Sequence, residues 1–298
     1  MNQHIHPIKA WTLALRPPTL LTGFAPVIIG AALVPKDRLD LLAWLSMFGC
    51  LLCVALMQSG ANLVNDVKDF QKGVDQPDRL GPPRAAQQGW LTPKSIAKGY
   101  RNCFAAALVI GIFLAARGGM EIFLLGLACI ATAYAYTGGP FPLSKIGLGE
   151  VVALVFFGPL AVAGTAYVVS LDFSLMDIFW GLGTGLLAAA LMGINNYRDM
   201  NGDASAGKRT LAVRLGQAKA QALPWHCMTL AGGLLVLFGL SKGHILASIV
   251  LGGLYFFVAG IKIKPYLIPQ GSALNLALKR TSLLNFLYSL GFFYLSGS

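Results

Sequence analysis

Runs of about 18 to 24 apolar residues recur from one end of this 298-residue chain to the other, each long enough to cross a roughly 30 Å hydrocarbon layer as an α-helix. Inside lipid every backbone N–H and C=O must be bonded within its own segment, so helices are the default. Composition agrees: 56% of the residues are hydrophobic and 12% are charged, about half the charge a soluble domain uses to cover its surface. The runs place spans at 19–36, 42–64, 101–117, 120–137, 150–171, 174–196, 223–241, 244–262 and 280–296. The expected fold class is all-α, a polytopic membrane protein of about nine transmembrane helices, with residues 1–298 as a single domain and no span broken at its centre.

Basic residues orient the bundle. With the N-terminus inside, 19 of the 23 Lys and Arg fall on the cytoplasmic side and only Lys36, Arg38, Arg117 and Lys242 fall outside. The expectation is a multi-pass protein of the cell's inner (cytoplasmic) membrane, with its C-terminus outside and the 65–100 loop cytoplasmic. The net charge of +11 then reflects this bias and attraction to anionic lipid, and nucleic acid is not an expected partner. The first 17 residues lack the small-residue cleavage site of a signal peptide and read as an interfacial segment anchored by Trp11. Cys50 and Cys53 form a CxxC inside an apolar run with no second thiol pair, so packing explains them better than metal or redox work. His4 and His6 sit in a polar tail, and His226 and His244 lie near predicted helix ends.

Charge concentrates in two places. Asn62 to Arg84, NLVNDVKDFQKGVDQPDRLGPPR, carries four carboxylates and four basic side chains, and Ile194 to Gly216, INNYRDMNGDASAGKRTLAVRLG, forms a second such segment. Setting Asp66 on Asp199 gives an offset of 133 residues that also sets Asn62 on Asn195 and carries the first span onto the fifth. Two four-helix repeats, about 19–137 and 150–262, plus a last helix at 280–296, are the simplest architecture, and parallel repeats of even span number keep both motifs on one face.

On helix ends, Asn62, Asp66 and Asp69 fall at i, i+4 and i+7, and Asn195, Asp199 and Asp203 at i, i+4 and i+8, so each set shares a face. Opposed across a bundle, four carboxylates would repel and protonate unless a cation relieved them. Oxygen-only ligands without His or Cys favour Mg²⁺, whose coordination is usually completed by water and phosphate oxygens. The flanking Lys72, Arg79, Arg84, Lys145, Arg198, Lys208 and Arg209 add anion-binding charge. Orientation alone accounts for many bases in such loops, but it does not require Asp at helical spacing beside paired Asn, twice. Acids for a metal and bases for phosphate describe a diphosphate site, with Asn65 and Asn196 as further polar candidates.

These motifs carry a resemblance. Asn65-Asp66-Val-Lys-Asp69 and Asp199-Met-Asn-Gly-Asp203 resemble the two signatures of the UbiA-type intramembrane aromatic prenyltransferases, Asn-Asp-x-x-Asp after the second helix and Asp-x-x-x-Asp after the sixth. The stretches KGVDQPDRLGPPRAAQQG, YTGGPFPLSKIGLGE (beginning at Tyr136) and FFGPLAVAGTAYV are similar to the branch of that family that prenylates naphthoate. Where the superfamily places a third acid four residues after Asp69, this chain has Gly73, with Asp75 two residues further on, a shift the naphthoate branch shares.

The resemblance implies a UbiA-like helical bundle in which Mg²⁺ held by Asp66, Asp69, Asp199 and Asp203 clamps a polyprenyl diphosphate. Asn62, Asn65, Lys72, Arg79, Arg84, Tyr136, Lys145, Asn195, Asn196, Arg198, Lys208 and Arg209 are the implied substrate-binding residues. It further implies 1,4-dihydroxy-2-naphthoate as the aromatic acceptor, loss of carbon dioxide on transfer and a place in menaquinone biosynthesis. A related transferase with another aromatic acceptor is the first alternative. A transporter is the alternative of a different class, because repeats and intramembrane acids occur there too.

Overall fold

The computed structural model describes residues 5–73, 80–268 and 271–297. His4, Asp75 and Arg79 lie outside the described residues. A short helix α1 (Pro7–Leu15) precedes α2 (Leu20–Leu33) and the 31-residue α3 (Leu41–Gln71). The helix Pro93–Ala135 then interrupts its regular geometry at Gly119, with φ 81° and ψ −170°, a conformation that a Cβ disfavours. Tyr100 and Tyr134 meet with ring centroids 6.1 Å apart, whereas a straight helix would hold them about 50 Å apart. The segment is therefore a hairpin of two spans, α4 (93–118) and α5 (120–135).

The remaining elements are α6 (Gly149–Phe156), α7 (Pro159–Ser170), the 31-residue α8 (Leu175–Ser205), the single turn α9 (Leu211–Leu215), α10 (Gln217–Ser241), α11 (Ile245–Phe257) and α12 (Ala273–Gly297). Among the described residues, seven helices are long and apolar enough to cross a membrane when α4 and α5 count as one. Resolving that hairpin gives eight, and the 25-residue α12, about 37 Å long, is long enough to be a ninth but less apolar, so the count is roughly the one expected.

The expectation of unbroken spans needs correction. Gly158 and Pro159 break the fifth span between α6 and α7, since Pro cannot supply an interior N–H but starts a helix well. A π-helical turn at Val258–Ile263 follows α11 in the eighth span. Trp11, the expected interfacial anchor, also packs on the bundle. It is half-buried against the cluster of Ala14, Leu63 and Ile96, and a Cβ added to Gly99 would come within 2.8 Å of its ring.

The break at Gly158 packs α6 and α7 against α8 through glycine. A Cβ on Gly181 would lie 2.8 Å from the Pro159 Cα, and one on Gly185 would meet the Leu154 carbonyl oxygen and, at 3.0 Å, the Gly158 Cα. Backbones touch here, as small residues allow in membranes, so no side chain can swing aside. Gly185→Ala is expected to destabilise the protein by about 1–3 kcal/mol through overpacking, read as a lower thermal midpoint in detergent; Gly233→Ala, where added bulk meets nothing, is the matched control.

The two ends of the bundle differ. At one end Arg117 donates to the carbonyls of Val168 and Val169 at 2.9 Å and lies 3.5 Å from Asp40, and Lys36 donates to the Gly297 carbonyl at 2.7 Å. Asp40 and Ser174 cap the N-termini of α3 and α8, a placement worth about 1 kcal/mol each. Both long helices therefore deliver their C-termini, and the acid motifs on them, to the other end.

Candidate active site

Carboxylates at helix C-termini are unfavourable by themselves, because the carbonyl end of the helix already carries negative potential. Asp66 and Asp69 lie in the last turns of α3, and Asp199 and Asp203 in the last turns of α8. Cations answer them. The Arg84 guanidinium donates to Asp69 at 2.9 Å, and the Lys208 ammonium stands 3.7 Å from Asp69 and 3.6 Å from Asp203. One ammonium thus ties the two motifs together, although they are 134 residues apart in sequence.

Asp199 is held differently. Arg198 donates to both its oxygens, at 2.8 and 2.7 Å, and also to the side-chain oxygens of Asn195 and Asn275, each at 2.8 Å. Four of the five guanidinium N–H donors are thereby used, and Arg198 is only 2% exposed. Protein partners thus hold Arg198 against Asp199, while its side chain still lines the cavity described below.

Asp66 departs further from expectation. It is 1% exposed, and its two oxygens accept the backbone N–H groups of Ala85 and Ala86 at 2.9 and 3.0 Å. The chain then turns back on itself through Gln88 N–H to the Arg84 carbonyl and Trp90 N–H to the Ala85 carbonyl. Asp66 caps this turn and so presents Arg84 to Asp69.

Asp69, Asp199 and Asp203 open into one cavity of about 1600 Å³, larger than the few hundred to 1,000 Å³ of most small-molecule sites. Of the expected residues, Asn62, Asn65, Asp69, Lys72, Arg84, Tyr136, Lys145, Asn195, Asn196, Arg198, Asp199, Asp203 and Lys208 line it. Asp66 does not. Arg209 does not either; it is exposed, and its backbone N–H bonds the Lys145 carbonyl at 2.9 Å. Away from the charged end the wall is apolar, with Val54, Phe156, Phe157, Leu160 and Leu114.

Several partners were not legible in sequence. Thr137 accepts the Lys72 ammonium on its carbonyl at 2.7 Å and donates its hydroxyl to Asn65. Buried Glu150 accepts from Asn196 at 2.9 Å, and Asn275 of α12 holds Arg198 while donating to the Leu80 carbonyl. Arg16 lines the cavity with its backbone in the left-handed region at φ 54°; Asn62, donating to the Leu15 carbonyl and to Thr19, pins that corner. Only the positive φ of a non-glycine residue marks Arg16 as special, and that signal exists in the backbone alone.

Burial lowers the Lys72 pKa from its usual 10.5, and the neighbouring Lys145 lowers it further while Asp69 opposes. Positive charge is crowded at the rim, with room for an anion to relieve it.

A cavity with clustered acids and bases at one mouth and an apolar interior, set among membrane-length helices, defines a class of intramembrane enzyme. The chain belongs to the UbiA prenyltransferase family, which matches residues 23–271. It is 38% identical over 230 residues to the 1,4-dihydroxy-2-naphthoate octaprenyltransferase of Haemophilus influenzae, covering 75% of this chain and 74% of that one. The protein of the same name in Escherichia coli is 36% identical over 280 residues, 88% of this chain and 85% of its own. The fold matches, with a TM-score of 0.66, that of a UbiA homologue from Archaeoglobus fulgidus bound to GPP and Mg²⁺, at 17% identity and covering 97% of this chain and 100% of that one.

Proposed function

We propose that the protein transfers a polyprenyl group from a polyprenyl diphosphate to 1,4-dihydroxy-2-naphthoate, with loss of carbon dioxide, at the cytoplasmic face of the inner membrane. The observation that carries this reading is the polarity of the large cavity, ionic where Lys208 bridges Asp69 and Asp203 and apolar along its depth. The relatives' names supply the acceptor, and membership of a prenyltransferase family speaks against transport.

Mg²⁺ fits the residues present. Asp69, Asp199 and Asp203 offer hard oxygen donors, and the Lys208 ammonium already occupies a cation's place between two of them. Among the described residues no group of three or more His, Cys, Asp or Glu forms a closed metal cage, so phosphate oxygens and water would complete the shell, as is usual for this ion. When bound, Mg²⁺ would offset the diphosphate's negative charge and ease its departure.

The chain's own residues do the rest. Lys72, Lys145 and Lys208 face the charge that grows on the leaving diphosphate as the carbon–oxygen bond breaks and its electron pair departs with oxygen. Phe156 and Phe157 keep water from the allylic cation left behind. The electron-rich ring attacks that cation from the carbon bearing its carboxylate, and the pair released as carbon dioxide leaves restores aromaticity.

Incubating purified protein with Mg²⁺, a polyprenyl diphosphate and 1,4-dihydroxy-2-naphthoate is expected to give the decarboxylated prenyl product by mass. A faster reaction with 4-hydroxybenzoate would move the assignment to another acceptor, and no product with either would remove it. For orientation, a cysteine at the exposed Gln88 is expected to resist a membrane-impermeant maleimide in intact cells; its labelling would turn the bundle over.

A further inference from the structure

The proposed reaction leaves open how long a prenyl tail the protein takes, and the apolar half of the cavity bears on it. The floor of its far end is lined by Val27, Leu114, Ile122 and Val168, which belong to or pack on the apolar cluster completed by Val34 and Val169. Two glycines line the wall just before that floor, Gly111 on α4 and Gly126 on α5, and a Cβ built on either meets nothing within 4 Å. On α4, Gly111 stands on the face that carries Ala107 and Leu114, both cavity-lining and buried, whereas Val109, Ile112 and Phe113 point to the outer surface. The Tyr100–Tyr134 pairing of the hairpin sets Gly126 opposite residue 108, within about one turn of Gly111. The two glycines thus widen the same level of the cavity from adjacent helices.

That level can be placed along the axis. The Cys53 thiol donates to the Ala107 carbonyl, and a Cβ on Gly49 would touch Leu114 and Ile110 at 3.1 and 3.5 Å, so Gly111 is level with residues 49–53 of α3. From there to Asp69 is 16 to 20 residues, or about 24–30 Å at the helical rise. Four backbone carbon–carbon bonds carry an extended isoprene unit about 5 Å. A tail anchored by its diphosphate at Asp69 and Asp203 therefore reaches Gly111 after about five units.

We propose that Gly111 and Gly126 are specificity-determining positions, whose missing side chains admit prenyl tails longer than about five units into the far end of the cavity. This inference rests on the prenyltransferase reading above. Side chains added at either position start from open space, since a Cβ there meets nothing within 4 Å.

The test compares three-unit and eight-unit prenyl diphosphates at saturating naphthoate. The ratio of kcat/KM for the long donor to that for the short one is expected to fall roughly tenfold or more in Gly111→Phe, and to fall likewise in Gly126→Phe, which fills the level from the other helix. Val109→Phe, on the outer face of α4, is expected to keep the wild-type ratio. An unchanged ratio in both glycine variants, or an equal fall in Val109→Phe, overturns the proposal. If wild-type protein prenylates no acceptor, the reaction assignment fails by itself; the length rule is then read from thermal stabilisation by the two donors, where Gly111→Phe must lose the eight-unit shift more than the three-unit one, and equal losses reject it.

Discussion

Replacing Asp203 by Asn is expected to cut prenyl transfer by at least ~10²–10³-fold in kcat, with the protein still inserted and folded. The exchange keeps the shape of a side chain that is 9% exposed at the end of α8, yet it removes one of the two charges that hold Lys208 between the motifs. Lys208 would then turn fully to Asp69, 3.7 Å away, and the site would lose both an oxygen donor for the cation and the balance that keeps the ammonium central. The measurement is single-turnover transfer at saturating Mg²⁺, with thermal unfolding alongside. Near-normal turnover would remove Asp203 from the chemistry.

Asp66→Ala is expected to fail for a different reason. Two buried charge-assisted hydrogen bonds to Ala85 and Ala86 disappear, and two backbone N–H groups lose their partner in a buried corner, a loss of about 3 kcal/mol or more. The turn from Arg84 to Trp90 would loosen, taking from Asp69 the guanidinium that neutralises it. Hydrogen exchange should therefore quicken across 84–91 in Asp66→Ala and stay slow in Asp203→Asn, while both lose activity. Unchanged exchange in Asp66→Ala, together with a raised Mg²⁺ requirement, would return Asp66 to the role of metal ligand.

The contrast between these two aspartates shows what the sequence could carry. Helical spacing put Asp69 and Asp203 on cavity-facing sides of their helices because a period of 3.6 is a local property. Asp66 shares that face by spacing, but its partners come from a turn 19 and 20 residues later, and only tertiary structure decides which buried acid meets a backbone donor first. Arg198 illustrates the same limit: charge beside an acid is visible in the sequence, but not that Asn195 and Asn275 take two of its donors. The hairpin at Gly119 was legible because its two apolar runs together exceed one membrane crossing. The break at Gly158-Pro159 was legible in principle, since a Gly-Pro pair inside a span is the usual mark of an interrupted helix; its cause, the backbone contact with Gly181 and Gly185, was not.

Glu150 and Thr137 show the second layer that a motif omits. Neither is an obvious ligand, yet Glu150 fixes the amide of Asn196 and Thr137 ties Lys72 to Asn65. Such supporting bonds hold the residues that face a substrate within narrow geometry.

The most direct test of a shared site is a structure of the purified protein with Mg²⁺ and a non-hydrolysable prenyl diphosphate analogue. The diphosphate is expected between Asp69 and Asp203, touched by Lys208 and by residues of both long helices, with its tail running toward Gly111. A diphosphate bound to one motif alone, or seated at the end of the bundle that holds Arg117 and Lys36, would contradict the account.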